Sequence, residues 1–208
     1  LTDRDFGEDI PVLMETIILA SGSLRRQDYF RLLGLPFSIM PSRVDETPSL
    51  GLSPREQAEE IAVRKVNEIV RLLADRLPPW ILGADTIVAI DDAVFGKPGD
   101  KQSARAMLRQ LSGREHAVIT AIALFNGRTR RLDHRSVVST VRFAEISPGE
   151  LEWYLDTGEW QGVAGAYRLQ ELASCFIAEI RGSYSGIVGL PMHEFYVMLR
   201  ENGYSYGG

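Results

Sequence analysis

Cysteine is nearly absent from this 208-residue chain. Cys175 stands alone, so no internal disulfide can form, and a reducing, cytoplasmic compartment fits. Lysine is almost as scarce: of 23 basic residues only Lys65, Lys97 and Lys101 are lysines, and the rest are arginines. Arginine is a wide planar fork and lysine a compact point charge, so a retained lysine hints at a need for a small ammonium. The histidines (His116, His134 and His193) lie far apart and lack the spacing of a zinc site. No apolar run approaches the about 18 residues of a transmembrane helix, and no Gly-x-Ser-x-Gly element marks a serine hydrolase. A net charge of −5 argues against a general nucleic-acid binder, which carries a basic surplus. It leaves room for a local basic pocket that takes a small anion.

What is present is an ordinary globular mixture, 45% hydrophobic and 25% charged, too apolar for a disordered chain. The length suits one large domain or two small lobes and needs no disulfide or metal staple. Residues 1–13 are acidic and polar, unlike a signal peptide. They read as an extension, with a single domain over 14–208 that begins near Met14.

Strand-like runs alternate with helical ones. A strand over 17–20 leads into a helix over about 24–33, with Ser23 as N-cap and Gly34 as stop. A short strand over 37–40 and a loop over 41–52 follow. Ser53-Pro54-Arg55-Glu56 is a capping box with proline at the first helical position. That helix runs to about Arg76, where Pro78-Pro79 blocks it. Its apolar stripe is Ala58, Ala62, Ile69 and Leu72, with Lys65 inside it. A long strand over 80–90 turns at Asp91-Asp92 into Val94-Phe95. Asp100 caps a helix over about 102–111. Two long strands, 115–125 and 128–143, are joined by the hairpin signal Asn126-Gly127. Ser147 to Glu150 repeats the capping box and opens a helix that ends near Gly158. Beyond it come strands near Tyr167 and over 174–180, a Gly/Ser loop over 182–189, and a last helix from Pro191 to about Asn202. The tail from Tyr204 onward is expected to fray. No internal repeat is present. Long hairpin-linked strands among helices favour a mixed α/β sheet.

Several places could carry chemistry. Ser21-Gly22-Ser23-Leu24-Arg25-Arg26 joins a strand to a helix, where free N–H groups attract anions and arginines add charge-assisted hydrogen bonds. Without Walker or dinucleotide spacing, it is either a phosphate cradle or an ordinary turn with solvated arginines. Asp85 interrupts an apolar strand, where an unpaired carboxylate costs roughly several kcal/mol. It is either functional or a structural aspartate bonded to backbone N–H groups. Asp45-Glu46 taken alone reads as a solvated acidic turn. Lys97 follows the hairpin that carries Asp85 and can return near it. Lys65, on a core-facing stripe, either snorkels or serves a cleft. Cys175, in an apolar run, belongs in the core. Acids that hold a divalent ion, with cations that hold phosphates, are the equipment of phosphoryl or nucleotidyl chemistry.

The motifs Leu19-Ala20-Ser21-Gly22-Ser23-Leu24-Arg25-Arg26, Val44-Asp45-Glu46, Gly83-Ala84-Asp85-Thr86, Gly96-Lys97-Pro98 and Leu111-Ser112-Gly113-Arg114 occur in that order. Ala164-Gly165-Ala166-Tyr167-Arg168-Leu169-Gln170, Gly182-Ser183-Tyr184-Ser185 and Val188-Gly189-Leu190-Pro191 follow. Together they resemble the Maf family over about residues 17–203. The resemblance implies an elongated mixed α/β sheet flanked by helices, with two lobes about a deep cleft, similar to the inosine triphosphatases. It implies a nucleoside triphosphate pyrophosphatase that releases a nucleoside monophosphate and diphosphate. Thr86 and Gln170 resemble the dTTP/UTP branch rather than the 7-methyl-GTP branch. By position, Asp85 resembles the proton acceptor and Glu46 its acidic partner at Mg²⁺ or Mn²⁺. Lys65 and Lys97 match the catalytic cleft lysines, and Lys101 matches no family position. Arg25, Thr86 and Gln170 match positions tied to base selection. Ser21, Ser23 and Arg26 belong to the phosphate loop. Two departures stand out: Leu24 replaces a usual proline, and Gly162-Val163 replaces a usual Asp-Lys. The missing lysine leaves open a rival reading, a nucleotide-binding regulator of septum formation with little turnover. A homodimer is common for such folds, although no heptad or apolar stripe here demands one.

Overall fold

The computed structural model describes residues 14–206 except 75 and 92. The proposed 1–13 extension, Asp92 of the expected turn and the last two residues of the tail lie outside the described residues. The elements are β1 (Ile17–Leu19), α1 (Leu24–Leu32), β2 (Phe37–Ile39), α2 (Pro54–Leu73), β3 (Trp80–Ile90), β4 (Ala93–Phe95) and α3 (Lys101–Leu111). They continue with β5 (Glu115–Asn126), β6 (Arg131–Phe143), α4 (Pro148–Asp156), β7 (Ile177–Arg181), α5 (Tyr184–Val188) and α6 (Met192–Glu201). Both predicted capping boxes form, at Ser53 with Glu56 and at Ser147 with Glu150. Among the described residues, no helix is long and apolar enough to cross a membrane.

The sheet is mixed, in the order β2-β1-β3-β5-β6-β7, with β4 also on β3. β1 runs parallel to β2 and β3, and the remaining pairings are antiparallel. The registers around β3 decide where a site can form. β1 pairs only with Trp80 to Leu82, and β4 only with Val88 to Ile90. Residues 83–87 of β3 are thus left without a strand neighbour on that edge, while β5 pairs along the whole of the other. The loops that leave β1 and β4 flank this notch.

Side chains alternate across β3. Ile81, Ile87 and Ala89 pack under α2 with Ala58, Ala62, Val66 and Ile69. Leu82 and Ala84 face the opposite way, toward Phe30 of α1 and Phe195 and Leu199 of α6. A third apolar cluster joins the far end of β5 and β6 to α3 and α4 through Val118, Phe143, Leu108 and Tyr154.

Some expectations need correction. Leu72 is 63% exposed, because the buried row of α2 continues through the half-buried Val70 and Leu73 instead. Asn126-Gly127 is not a two-residue turn. Asn126 pairs with Arg131, and 127–130 form the turn, with Asn126 Oδ1 accepting from the Arg128 and Thr129 N–H groups. Gly127 is needed for close approach, since a Cβ there would lie 2.2 Å from the Pro78 carbonyl oxygen. No strand forms near Tyr167. Gly165 and Ala166 both have positive φ, which bends the chain out of extended geometry, and 3₁₀ segments form at Ala164–Ala166 and Leu172–Phe176. In the second of these, Ala173 and Phe176 take the core positions, and Cys175 is exposed rather than buried. The strand that follows is 177–181, not 174–180. The Gly/Ser loop contains α5, capped by Ser183, whose hydroxyl accepts from Gly186 N. Tyr204 does not fray: it is buried, its ring lies edge-on to Trp80, and its hydroxyl donates to Glu15 O.

His116 of β5 is buried edge-on to Phe143 and Tyr167, with Nε2 2.8 Å from the Tyr167 hydroxyl. Burial pushes its pKa down to about 4 from 6.5. The unfolded chain therefore binds this proton more readily, so the stabilising contribution of neutral His116 is complete above pH 6.5 and fades as pH falls through 4. Chemical denaturation should show stability rising by on the order of 3 kcal/mol across that window. His116→Gln should flatten the rise, and identical pH slopes for the two proteins would disprove the attribution.

Candidate active site

Asp85 sits in the middle of the unpaired stretch of β3 and is almost fully buried. Its side chain shares the α2 face with Ile81 and Ile87. Gly83, two residues earlier, lets α2 approach the strand, because a Cβ there would lie 2.6 Å from Ala62 O and 2.7 Å from Val66 Cγ2. One turn beyond Ala62, Lys65 points into the notch. Its Nζ donates to Asp85 Oδ1 and Glu46 Oε1, both at 2.8 Å, and more distantly to Ala84 O at 3.4 Å. That set engages all three ammonium protons. Lys97, on the loop after β4, does not meet Asp85. It reaches Glu46 Oε2 at 2.9 Å instead. Glu46, expected as a solvated turn when taken alone, is therefore gripped by two lysines. Burial would push its carboxyl up, but Lys65 and Lys97 outweigh that and hold it at about 2.

The second wall comes from the loop after β1 and the start of α1. Arg26 is buried and fully directed: Nε donates to Gly189 O at 2.7 Å, Nη1 to Ser21 Oγ at 2.9 Å and Nη2 to Thr86 Oγ1 at 3.1 Å. Ser23 occupies the N-cap position, yet its side chain makes no capping bond, and the first turn of α1 carries no acid. The helix therefore opens with N–H groups free for an anion. Arg25 makes no ion pair among the described residues. Burial, with Arg26 and Arg168 nearby, pulls its pKa down to about 10.

These groups line one cavity of about 500 Å³ that holds Ser21, Ser23, Arg25, Arg26 and Thr86 on one side and Glu46, Lys65, Asp85 and Lys97 on the other. The size suits a nucleotide. Gln170 is not on its wall. Its Nε2 meets Glu171 Oε1 at 3.5 Å, because the chain turns away into the second 3₁₀ turn. Arg168, two residues earlier, lines the cavity and was missed as a site residue. Its guanidinium pairs with Glu171 Oε1 at 3.3 Å and donates to Gln161 O at 3.2 Å, and Nε has no partner among the described residues. The 164–170 motif contained it, but nothing in its spacing distinguished it from Gln170. Val163 forms part of the same wall and is apolar.

The donor set can be tested against a divalent ion. No cluster of three or more His, Cys, Asp or Glu side chains suits a metal among the described residues. Two carboxylates on one ammonium do fit Mg²⁺ or Mn²⁺, which commonly bind through one or two carboxylates and complete their shell with water and substrate phosphates. Asp85 Oδ2 accepts no hydrogen bond among the described residues and is left open to a water or ligand in the cavity.

Residues 16–202 match the family model described as Maf-like protein. The chain belongs to the Maf family. A relative from Symbiobacterium thermophilum named dTTP/UTP pyrophosphatase is 44% identical over 92% of this chain and 96% of that protein. Another of that name from Pelotomaculum thermopropionicum is 41% identical over 92% of this chain and 99% of its own length. A third, from Aromatoleum aromaticum, is 42% identical over 90% and 96%. In this Maf protein the notch on β3 and the close packing at Gly83 bring the acids and lysines together. Gly83→Ala should lower stability by roughly 1–3 kcal/mol in chemical denaturation, as overpacking against backbone does. Unchanged stability would show that α2 does not depend on the missing side chain.

Proposed function

We propose that the protein hydrolyses the α–β phosphoanhydride of dTTP or UTP to a nucleoside monophosphate and diphosphate. The observation that carries the reading is the cavity itself. Two carboxylates on a shared ammonium face an uncapped helix N-terminus and arginines without carboxylate partners, all at one gap in the sheet. The names of the 41–44% identical relatives supply the nucleobase.

A bound Mg²⁺ or Mn²⁺, held by Glu46 and Asp85, would neutralise triphosphate charge and ease deprotonation of water. The side chains do the rest. The N-terminus of α1 and Ser23 hold phosphate oxygens, and Arg25 neutralises the chain of phosphates. Lys65 keeps Glu46 and Asp85 in fixed relation. Asp85 Oδ2 takes the proton from the water that attacks the α-phosphorus. The α–β P–O bond breaks and its electron pair leaves on the diphosphate, whose charge Lys97 and Arg25 stabilise.

Asp85→Asn keeps the shape but removes the proton acceptor. Diphosphate release from dTTP and UTP should fall about 10²–10⁴-fold, with circular dichroism unchanged. Undiminished release by that variant would sink the assignment of Asp85. Nucleotide binding by the wild type without any release would instead make the protein a nucleotide-binding regulator.

A further inference from the structure

Two of the arginine–glutamate pairs in this chain differ in kind. Arg105 and Glu152 meet through two parallel bonds of 2.6 Å each, the fork-to-fork geometry of a committed pair. Arg168 and Glu171 meet through one bond of 3.3 Å, from Nη1 to Oε1. Arg168 Nη2 donates to Gln161 O at 3.2 Å, and its Nε is shut off from water with no acceptor among the described residues. A buried N–H without a partner is a standing cost, so this pose leaves the guanidinium under-used. Glu171 lies just off the cavity wall, and its side chain is 44% exposed. An ion pair so open to water is weak, and the carboxylate loses little by turning out to solvent.

The backbone beneath the pair is held independently of it. Glu171 N donates to Arg168 O at 3.2 Å, which closes a turn and brings the two side chains together. Glu159, itself buried, accepts from Leu172 N at 2.9 Å, Ala173 N at 3.2 Å and the Tyr154 hydroxyl at 3.1 Å. A change of partner at Arg168 therefore moves side chains and not the chain. Arg168 shares the cavity wall with Arg25 and Arg26, so three guanidinium groups surround one hollow with a single exposed carboxylate at its edge. We infer that Glu171 stands in for a phosphate group: Arg168 exchanges this carboxylate for the polyphosphate of an entering nucleotide, which makes Arg168 a substrate-binding residue and Glu171 its built-in competitor. The incoming partner is a phosphate and not a base, because a neutral pyrimidine does not answer a cluster of positive charge. The guanidinium fork also matches two phosphate oxygens as it matches two carboxylate oxygens. The inference rests on the pyrophosphatase reading and deepens it, from a cavity of suitable charge to a particular exchange of partners.

A double-mutant cycle tests the exchange. Arg168→Gln should weaken the binding of inorganic triphosphate, titrated calorimetrically, about tenfold, the worth of one charge-assisted hydrogen bond. Glu171→Gln keeps the shape, removes the competing charge and should tighten that binding about threefold. In the Arg168→Gln background, Glu171→Gln should change nothing. KM for UTP should follow the same pattern. Inorganic triphosphate carries no base, so an Arg168 effect seen with UTP alone overturns the proposal, as does a wild type that binds no triphosphate. A Glu171→Gln variant that binds no tighter than the wild type overturns it too, since a purely structural pair would lower stability in chemical denaturation without any gain in affinity. A gain that survives in the Arg168→Gln background marks Glu171 as a general repulsive charge and also overturns it. If the wild type releases no diphosphate from dTTP or UTP, the pyrophosphatase reading fails, yet the triphosphate titrations still decide for or against the exchange.

Discussion

One buried ammonium holds the site together. Lys65 Nζ sits at 2.8 Å from carboxylates of two different segments, Glu46 of the long loop and Asp85 of β3. Lys65 and Asp85 are each less than a tenth exposed, so neither charge is tolerable without the other. Without the ammonium, the two acids would repel and the loop carrying Glu46 would lose its anchor to the sheet. A compact ammonium can take two carboxylates and a carbonyl around one atom, whereas a planar guanidinium would spread them apart. This is the physical sense of a lysine kept in a chain that writes almost every other cation as arginine.

That ammonium reaches its acids only because of what surrounds β3. The strand pairs fully on one edge and only at its two ends on the other. The gap lets loops from both flanking strands converge on residues 83–87. The absent side chain at Gly83 brings α2 down to the same stretch. On the opposite face of the strand, Thr86 meets Arg26, so adjacent residues supply the two walls of one cavity. The two-residue period of a strand is what separates their roles.

Much of this was legible in the sequence where local chemistry decides it. Both capping boxes, the long strand with a carboxylate in its middle and the lysine on the α2 stripe follow from spacing and burial alone. The mixed sheet followed from long runs joined by a hairpin signal. What the sequence did not display depends on tertiary contacts. Tyr204 is ordered because Trp80 of β3 and Glu15, just before β1, are there to meet it. Gln170 lies off the cavity wall, beyond the bend at Gly165 and Ala166, and Gly165 has its own reason to be there in the closeness of Val88.

The charge layout of the cavity bears on Val163, which stands where the Maf resemblance implies a lysine. Among the described residues, Glu46 and Asp85 are the only acids on its wall, and both are engaged by Lys65 and Lys97. Arg25 and Arg26 face no carboxylate on that wall, whereas Arg168 pairs with Glu171 at 3.3 Å just off it. The cavity is therefore neutral at its lysine side and in positive excess at its arginine side, even with an apolar residue at 163. Arg25 is desolvated, flanked by like charges and free of an ion pair among the described residues, with Glu171 giving only partial compensation, so an incoming anion would stabilise it. On the proposed reading, this excess draws a polyphosphate to the arginine side and leaves the carboxylates beside the phosphorus, where water is activated, rather than against the phosphates they would repel.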